Sequence, residues 1–382
     1  MNEVIIIGND HVNTLNTARV FGINGINPYG IIISKHPEES CCVKCKYWTC
    51  VKFIDDAESL LDTLLSIKVK SKGKPVLVPT CDVAMFLIDS NADSLFTKFI
   101  LPGFKNKPGK VVELMNKHSQ AEWAKDNNIP IASTYVVDLF STIDYSIYPY
   151  PCILKPVVSA EGSKSDIRKC ENAKELQIMI SEFKSKGYKR ILLQEFIIKD
   201  YECELWGAIL EHDNRTPYLF TKHLREWPLT GGTVTCHQFI SDPNLVKQAE
   251  NILQIIKSTG YRGNIDIELF CVDGRIILNE INWRNSGDVY AIFYPKVHYP
   301  YYSYLDMNNN PILKGEFTYK GTTYAINERN DFCHVFYAGL SIWKWLKYFI
   351  LSKDYAFWFL KDPKPAFYVY KRFLLKTILK IK

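Results

Sequence analysis

The runs Asn264-Ile265-Asp266-Ile267-Glu268-Leu269-Phe270 and Arg275-Ile276-Ile277-Leu278-Asn279-Glu280-Ile281-Asn282, joined through Asp273-Gly274, decide how this chain is read. Both are rich in β-branched residues, and Asp-Gly supplies the positive-φ positions of a tight turn, so they predict two adjacent antiparallel strands. Glu268 and Glu280 lie twelve residues apart on those strands, and Asn282 lies two beyond Glu280. Strand side chains alternate with a period of two, which puts Glu280 and Asn282 on one face. Two carboxylates and an amide on a rigid hairpin suit a hard divalent cation such as Mg²⁺ together with phosphate oxygens. Asp266 projects from the same face as Glu268 and competes with it for the first metal position. Taken alone, such a hairpin reads better as the polar outer face of a surface sheet. Its neighbours in the chain overturn that.

Just upstream, Leu245 to Thr259 reads as a helix, and Leu205 to Leu210 with Pro217 to Phe220 as an antiparallel meander. Ile191-Leu192-Leu193-Gln194-Glu195-Phe196-Ile197 reads as a buried strand. Cys152-Ile153-Leu154-Lys155-Pro156 is another, ending in a lysine before the small, polar Ser159 to Ser165, which suits a flexible cover. A helix built on Val111, Val112, Leu114 and Met115 opens this region after the loop-like Pro102 to Pro108. In the first hundred residues or so, short apolar runs at Val4 to Ile7, Gly30 to Ser34 and Pro75 to Pro79 alternate with helical stretches at Asn13 to Phe21 and Ala57 to Lys68. That alternation predicts a parallel sheet with crossover helices. The first turn, Gly8-Asn9-Asp10-His11-Val12-Asn13, holds one glycine where a dinucleotide fingerprint needs three, so a pyrophosphate site is excluded there.

Glu280-Ile281-Asn282-Trp283-Arg284 has the form E-x-N-x-R, and with the elements before it the chain resembles the ATP-grasp superfamily over about residues 100 to 290. The resemblance implies an α/β fold: a doubly wound N-terminal domain, two α+β subdomains that hold ATP between them, and here a basic aromatic helical tail. It places boundaries at 1–105, 106–190, 191–318 and 319–382. By the same resemblance Lys117 and Lys155 are the nucleotide lysines, Gln194-Glu195-Phe196-Ile197 the hinge that recognises adenine, and Glu202 the acid that holds the ribose hydroxyls. Glu268, Glu280 and Asn282 become the metal ligands, with ATP and Mg²⁺ as cofactors. Within the superfamily the chain looks most like bacterial carboxylate-amine ligases, a group that includes the D-aspartate ligases. Trp283 and a cysteine-rich insert depart from that pattern.

Such a site implies that ATP phosphorylates a carboxylate and that an amine displaces the phosphate to form an amide, expected in cell-surface polysaccharide or cell-wall precursor synthesis. Arg284, just past the ligands, and Arg225, ahead of Leu229-Thr230-Gly231-Gly232-Thr233, are the candidate catalytic cations, since a planar guanidinium stabilises oxygen-rich intermediates. The glycine pair is equally well read as a plain surface turn. Two other readings stay open: a kinase acting on a small acid or sugar, and a nucleotide-binding sensor without catalysis. Retention of all three metal ligands argues against the sensor.

The 382 residues are 47% hydrophobic and 23% charged, which excludes disorder and a single small domain. No apolar run is long enough for a signal peptide or membrane span, so the expected location is the cytoplasm, with the eleven cysteines reduced. Cys41, Cys42, Cys45 and Cys50 cluster, but no second pair accompanies Cys42-x-x-Cys45, and a metal is the minority reading even with His36 nearby. Residues 335–382 hold ten Lys and Arg against Asp354 and Asp362, a net +8; with +6 for the whole chain, −2 is left for the rest. Fourteen aromatics share that stretch. Cations interleaved with large apolar groups favour the inner face of a membrane over nucleic acid, with the oligomeric state undetermined. The competing reading packs those aromatics back on the catalytic domains.

Overall fold

The computed structural model describes residues 2–68, 73–157, 167–229 and 232–378. The expected cover at Ser159 to Ser165, the Thr230-Gly231 half of the glycine turn, and Lys380 and Lys382 lie outside the described residues. In chain order the elements are β1 (Val4–Asn9), α1 (Val12–Ile23), β2 (Tyr29–Ile33), β3 (Cys50–Ile54), α2 (Leu60–Ser66), β4 (Val76–Pro79), α3 (Asp82–Ser90), α4 (Ala92–Leu95) and β5 (Gly103–Phe104). There follow α5 (Lys110–Leu114), α6 (Lys117–Asp126), β6 (Thr134–Asp138), β7 (Cys152–Pro156), β8 (Arg168–Cys170), α7 (Ala173–Ser185), β9 (Arg190–Glu195), β10 (Tyr201–Ile209), β11 (Tyr218–Trp227) and β12 (Thr233–Phe239). The chain ends with α8 (Pro243–Ser258), β13 (Tyr261–Val272), β14 (Arg275–Asn282), α9 (Tyr299–Met307), β15 (Tyr324–Ile326), α10 (Glu328–Tyr337), α11 (Ile342–Leu351), β16 (Ser352–Tyr355) and α12 (Lys364–Ile378).

These elements divide into a larger unit (Met1–Val111, Cys203–Ile267, Asn282–Lys382) and a smaller one (Val112–Glu202, Glu268–Ile281). In the larger unit the parallel sheet runs β3-β2-β1-β4, as the alternation predicts. Val4 to Ile7 are fully buried between covering helices, so a continuous β-branched run replaces alternation. Helix α1 is unusual in burying Asn13, Asn16, Thr17 and Arg19. Each is satisfied: Asn13 Nδ2 donates to Thr80 O (2.8 Å) and Asn285 O (2.9 Å), and Asn16 Nδ2 donates to Ala356 O (2.8 Å). The second sheet of this unit runs β13-β10-β11-β12-β15-β16, and β14 pairs with β13 as the expected hairpin. Its turn residues Asp273 and Gly274 have φ of 47° and 71°, the left-handed conformation that a two-residue turn demands.

The tail is not wholly helical. Ser352–Tyr355 forms strand β16, parallel to β15, because Ser352 and Asp354 turn inward where an amphipathic helix would need them exposed. Asp354 accepts from Tyr294 N (2.9 Å), and Arg19 Nε donates to Asp362 (3.0 Å) in a fully buried pair. The competing reading, aromatics packed back onto the body, therefore describes β16 and Phe357, which is buried. On α11 it describes Trp345, packed on Phe332, and Tyr348, packed on Tyr324, but not Trp343, 77% exposed, or Ile350, 70% exposed.

The smaller unit is an antiparallel sheet, β6-β9-β7-β8. Leu154, Ile191 and Leu193 on one face pack against Leu176, Ile180 and Phe183 of α7. The other face carries Lys155 and Gln194: Lys155 opposes Leu192, and Gln194 lies two residues farther along the same side.

Candidate nucleotide and metal site

Lys117 opens α6 and does not close the helix that Val111, Val112, Leu114 and Met115 predict. Asn116 is the N-cap, its Oδ1 accepting from His118 N (3.0 Å) and Ser119 N (3.2 Å), and this ends the short α5 and starts a new helix. The Lys117 ammonium donates to Glu280 Oε2 at 2.8 Å, both side chains half-exposed. Lys155 Nζ donates to Gln194 Oε1 at 2.8 Å, and Gln194 Nε2 reaches Thr134 Oγ1 (3.3 Å). Burial pushes the Lys155 ammonium down to about 8, with the neighbouring Lys117 adding to the shift and Glu280 opposing it. Two lysines and one carboxylate of the predicted set thus share one electrostatic neighbourhood.

Gln194 and Glu195 end β9, and Phe196 and Ile197 begin an irregular segment that leads to β10. Glu195 is oriented by Ser133: its backbone N–H donates to Ser133 O (2.9 Å), and its Oε2 accepts from Ser133 N (3.2 Å). Phe196 N donates to Pro151 O (2.9 Å), and Lys169 stands over the Phe196 ring at 4.2 Å. Glu202 pairs with Lys199. Glu268 accepts from Asn279 Nδ2 at 3.0 Å, and Asn282 closes β14. The oxygen donors of Glu268, Glu280 and Asn282, with no thiolate or imidazole among them, fit a hard cation. The Lys117 ammonium on Glu280 is a stand-in positive charge at that carboxylate.

Asn282, Arg284 and Arg225 of the predicted set lie in the larger unit, the two arginines each with carboxylate partners. Arg284 donates to Asp82 Oδ1 (2.8 Å) and Asp266 Oδ2 (3.0 Å), so Asp266 meets an arginine where Glu268 meets the Asn279 amide. Arg225 spends its fork on Asp331, Nε to Oδ1 at 2.9 Å and Nη2 to Oδ2 at 2.8 Å, and stacks over Tyr348 at 4.5 Å.

Sequence reasoning passed over Gln120. Its Oε1 accepts from Ile281 N (2.8 Å) and its Nε2 donates to Ile281 O (2.8 Å) and Leu114 O (3.0 Å), a side-chain clamp that holds α6 to β14 and so keeps Lys117 beside Glu280. A lone glutamine in a charged helix carries no signal of that kind. Asn279 was likewise read only as a strand residue. The cysteine cluster does not assemble into one site: Cys41 and Cys42 gather near Asp10, Cys50 is exposed on β3, and all eleven thiols are free. A cleft of about 700 Å³ in the larger unit is lined by Asp10, His11, Ser34, Arg329, Tyr368 and Arg372 among others.

No family model matches the chain. Formate-dependent phosphoribosylglycinamide formyltransferase from Sulfurovum sp. (strain NBC37-1) is 26% identical over 137 residues, and that from Wolinella succinogenes is 27% identical over 139. The chain spans about a third of the length of these curated relatives, and the match takes in 35% of its own residues. Among solved structures, N5-carboxyaminoimidazole ribonucleotide synthetase from Thermus thermophilus superposes with a TM-score of 0.62 and 16% identity, covering 84% of this chain and 82% of that one. The biotin carboxylase domain of Hydrogenobacter thermophilus 2-oxoglutarate carboxylase, in complex with MgADP and bicarbonate, gives 0.62 and 16% over 85% and 74%. Phosphoribosylglycinamide synthetase from Anaerococcus prevotii gives 0.62 and 12% over 85% and 80%. With a likeness of this extent to ATP-grasp enzymes, the chain has the ATP-grasp fold.

Proposed function

We propose that this protein is an ATP-dependent carboxylate-amine ligase. The observation that carries the reading is the grouping of Lys117, Lys155 and Glu280 on one face of the smaller unit, next to the β9 end that carries Gln194 and Glu195. Lys117 and Lys155 hold phosphate oxygens, the Gln194 to Ile197 segment holds the adenine, and Glu202 holds the ribose. Glu268, Glu280 and Asn282 hold Mg²⁺, which neutralises charge on the transferring phosphate when bound. Lys117 trades its carboxylate for phosphate when nucleotide enters, which leaves Glu280 to the metal. Arg284, fixed by Asp82 and Asp266, presents its remaining edge to the phosphorylated carboxyl. Arg225, bound to Asp331, positions α10 and α11. The acid or amine takes the larger unit's cleft, where Arg329 and Arg372 favour an anionic group.

Purified protein with Mg-ATP and pairs drawn from panels of amino acids, uronic acids and amines tests this by ADP release. A ligase turns over only when acid and amine are both present. Sustained turnover on an acid or sugar alone makes it a kinase, and nucleotide binding with no turnover on any pair favours the sensor. Cell-surface or cell-wall precursors remain our preferred destination for the amide, which the productive pair will decide.

The exposed Trp343 and Ile350 flank Lys344 and Lys347 on α11, and we assign this face to reversible contact with an anionic leaflet. Among the described residues no helix is long and apolar enough to cross a membrane. Sedimentation with anionic vesicles at low salt, lost in Trp343→Ala/Ile350→Ser, is the expected result. A full-length protein that ignores such vesicles removes the assignment.

A further inference from the structure

A second group of metal-type ligands, none of them assigned a role above, lies on strands β10 to β12. Glu204 of β10 opposes Thr221 of β11, and His223 of β11 opposes His237 of β12. The period of two therefore sets Glu204, His223 and His237 on one side of the sheet. One donor atom from each of the three lies within 4.8 Å of the other two. His223 Nε2 is 3.5 Å from Glu204 Oε2, close to the edge of a tetrahedron built on metal–ligand bonds of about 2.0–2.1 Å, roughly 3.4 Å. The group is buried: the side chains are 9% exposed at Glu204, 10% at His223 and 0% at His237.

The rings are turned as metal ligands are turned. His223 Nδ1 lies 3.2 Å from Glu226 Oε1, and His237 Nδ1 lies 3.3 Å from Thr221 Oγ1, so an outer partner orients each ring and turns its Nε2 toward a carboxylate, Glu204 for His223 and Asp288 for His237. Among the described residues, Glu204 Oε2 and His237 Nε2 are buried without a hydrogen bond, although His237 Nε2 faces Asp288 Oδ2 at 3.3 Å. Trp206, wholly buried, packs edge-on against His237 with ring centroids 5.0 Å apart, and keeps bulk water from that side. Two buried or nearly buried carboxylates, Glu204 and Asp288, face two imidazoles here. A dication supplies the missing positive charge without protonating both rings.

We propose that Glu204, His223 and His237 bind a first-row divalent transition metal of the zinc type, with Glu226 positioning His223 and Asp288 beside the open side of the ion. Two imidazoles and one carboxylate select such an ion over Mg²⁺ and leave further positions for water or a substrate oxygen. The proposal does not depend on the ligase reading.

The test is a Co²⁺ titration of nucleotide-free, full-length protein after dialysis against a chelator. One equivalent is expected, with visible d–d bands and no thiolate charge-transfer band, displaced by Zn²⁺. Glu204→Gln and His223→Gln are expected to lose it. Glu226→Gln, at a part-exposed position whose loss leaves the sheet intact, is expected to weaken it about 10- to 100-fold. Cys42→Ser and Glu280→Gln are expected to retain it. The proposal is overturned if no such bands form, if Glu226→Gln binds as tightly as the parent, or if Cys42→Ser or Glu280→Gln abolishes the bands.

Discussion

Two pairs of basic and acidic residues show what burial does to the same chemistry. In the smaller unit Lys117 meets Glu280 at 2.8 Å with side chains 38% and 27% exposed. In the larger unit Arg19 meets Asp362 at 3.0 Å with side chains 0% and 1% exposed. Arg19 also donates to Asn16 Oδ1 (3.1 Å), Phe357 O (3.0 Å) and Asp362 O (2.8 Å), so its guanidinium is fully engaged and ties the N-terminal helix to the tail. Lys117 carries a compact point charge on a flexible stem, and a half-exposed pair of this kind exchanges its partner for a phosphate at little cost. Buried pairs of this kind hold the fold, and half-exposed ones remain available to ligands.

The largest expected effect tests the buried side of that contrast. Arg19→Met strands the Asp362 carboxylate and is expected to cost about 3–5 kcal/mol in denaturant unfolding. A loss below about 1 kcal/mol would show that the pair is not a fixed element. Removing residues 341–382 is expected to unfold the larger unit for the same reason, because β16 and Asp362 leave with them.

Glu280→Gln tests the other side. Turnover is expected to fall at least a hundredfold, on the order of 3 kcal/mol of transition-state stabilisation, with unfolding free energy within about 0.5 kcal/mol of the parent. Turnover that survives in a normally folded variant would remove the metal role from this carboxylate. Lys155→Ala is smaller: a charge-assisted contact of about 1.5–3 kcal/mol corresponds to an ATP Kd raised about 10- to 100-fold, read by calorimetry. Unchanged affinity would make the lysine a bystander.

The smallest effect is the pH dependence of nucleotide binding. A Lys155 ammonium depressed to about 8 is charged below that value and loses its proton above it. Affinity is expected to weaken as pH rises through about 8 to 9, and the dependence should vanish in Lys155→Ala. The stability contribution has the matching sign: the unfolded chain keeps this proton up to a pKa of about 10.4, so Lys155 destabilises the fold below pH 8 and ceases to as pH climbs above it. A flat binding profile across that range would place the ammonium in water.

The sequence by itself determined the order of the elements: the β-branched runs of β1, β2 and β4, the Asp-Gly hairpin, and the chain positions of Lys117, Lys155, Glu268 and Glu280. These follow from local rules of turn chemistry and alternation, which act over a few residues. Only the tertiary structure decided which polar groups meet. Nothing near Gln120 announces that it clamps Ile281, and nothing near Arg225 announces that Asp331 takes its fork, since each partner lies more than a hundred residues away in the chain. The same holds for Arg19, a charged residue of the expected helix that is wholly buried, and for Ser352 to Tyr355, expected within a helical tail and found as a strand. Glu204, His223 and His237 look unremarkable in sequence because three neighbouring strands, and not a spacing along the chain, bring them together. Burial sets whether a charge is spent or available, and burial is a property of the folded chain alone.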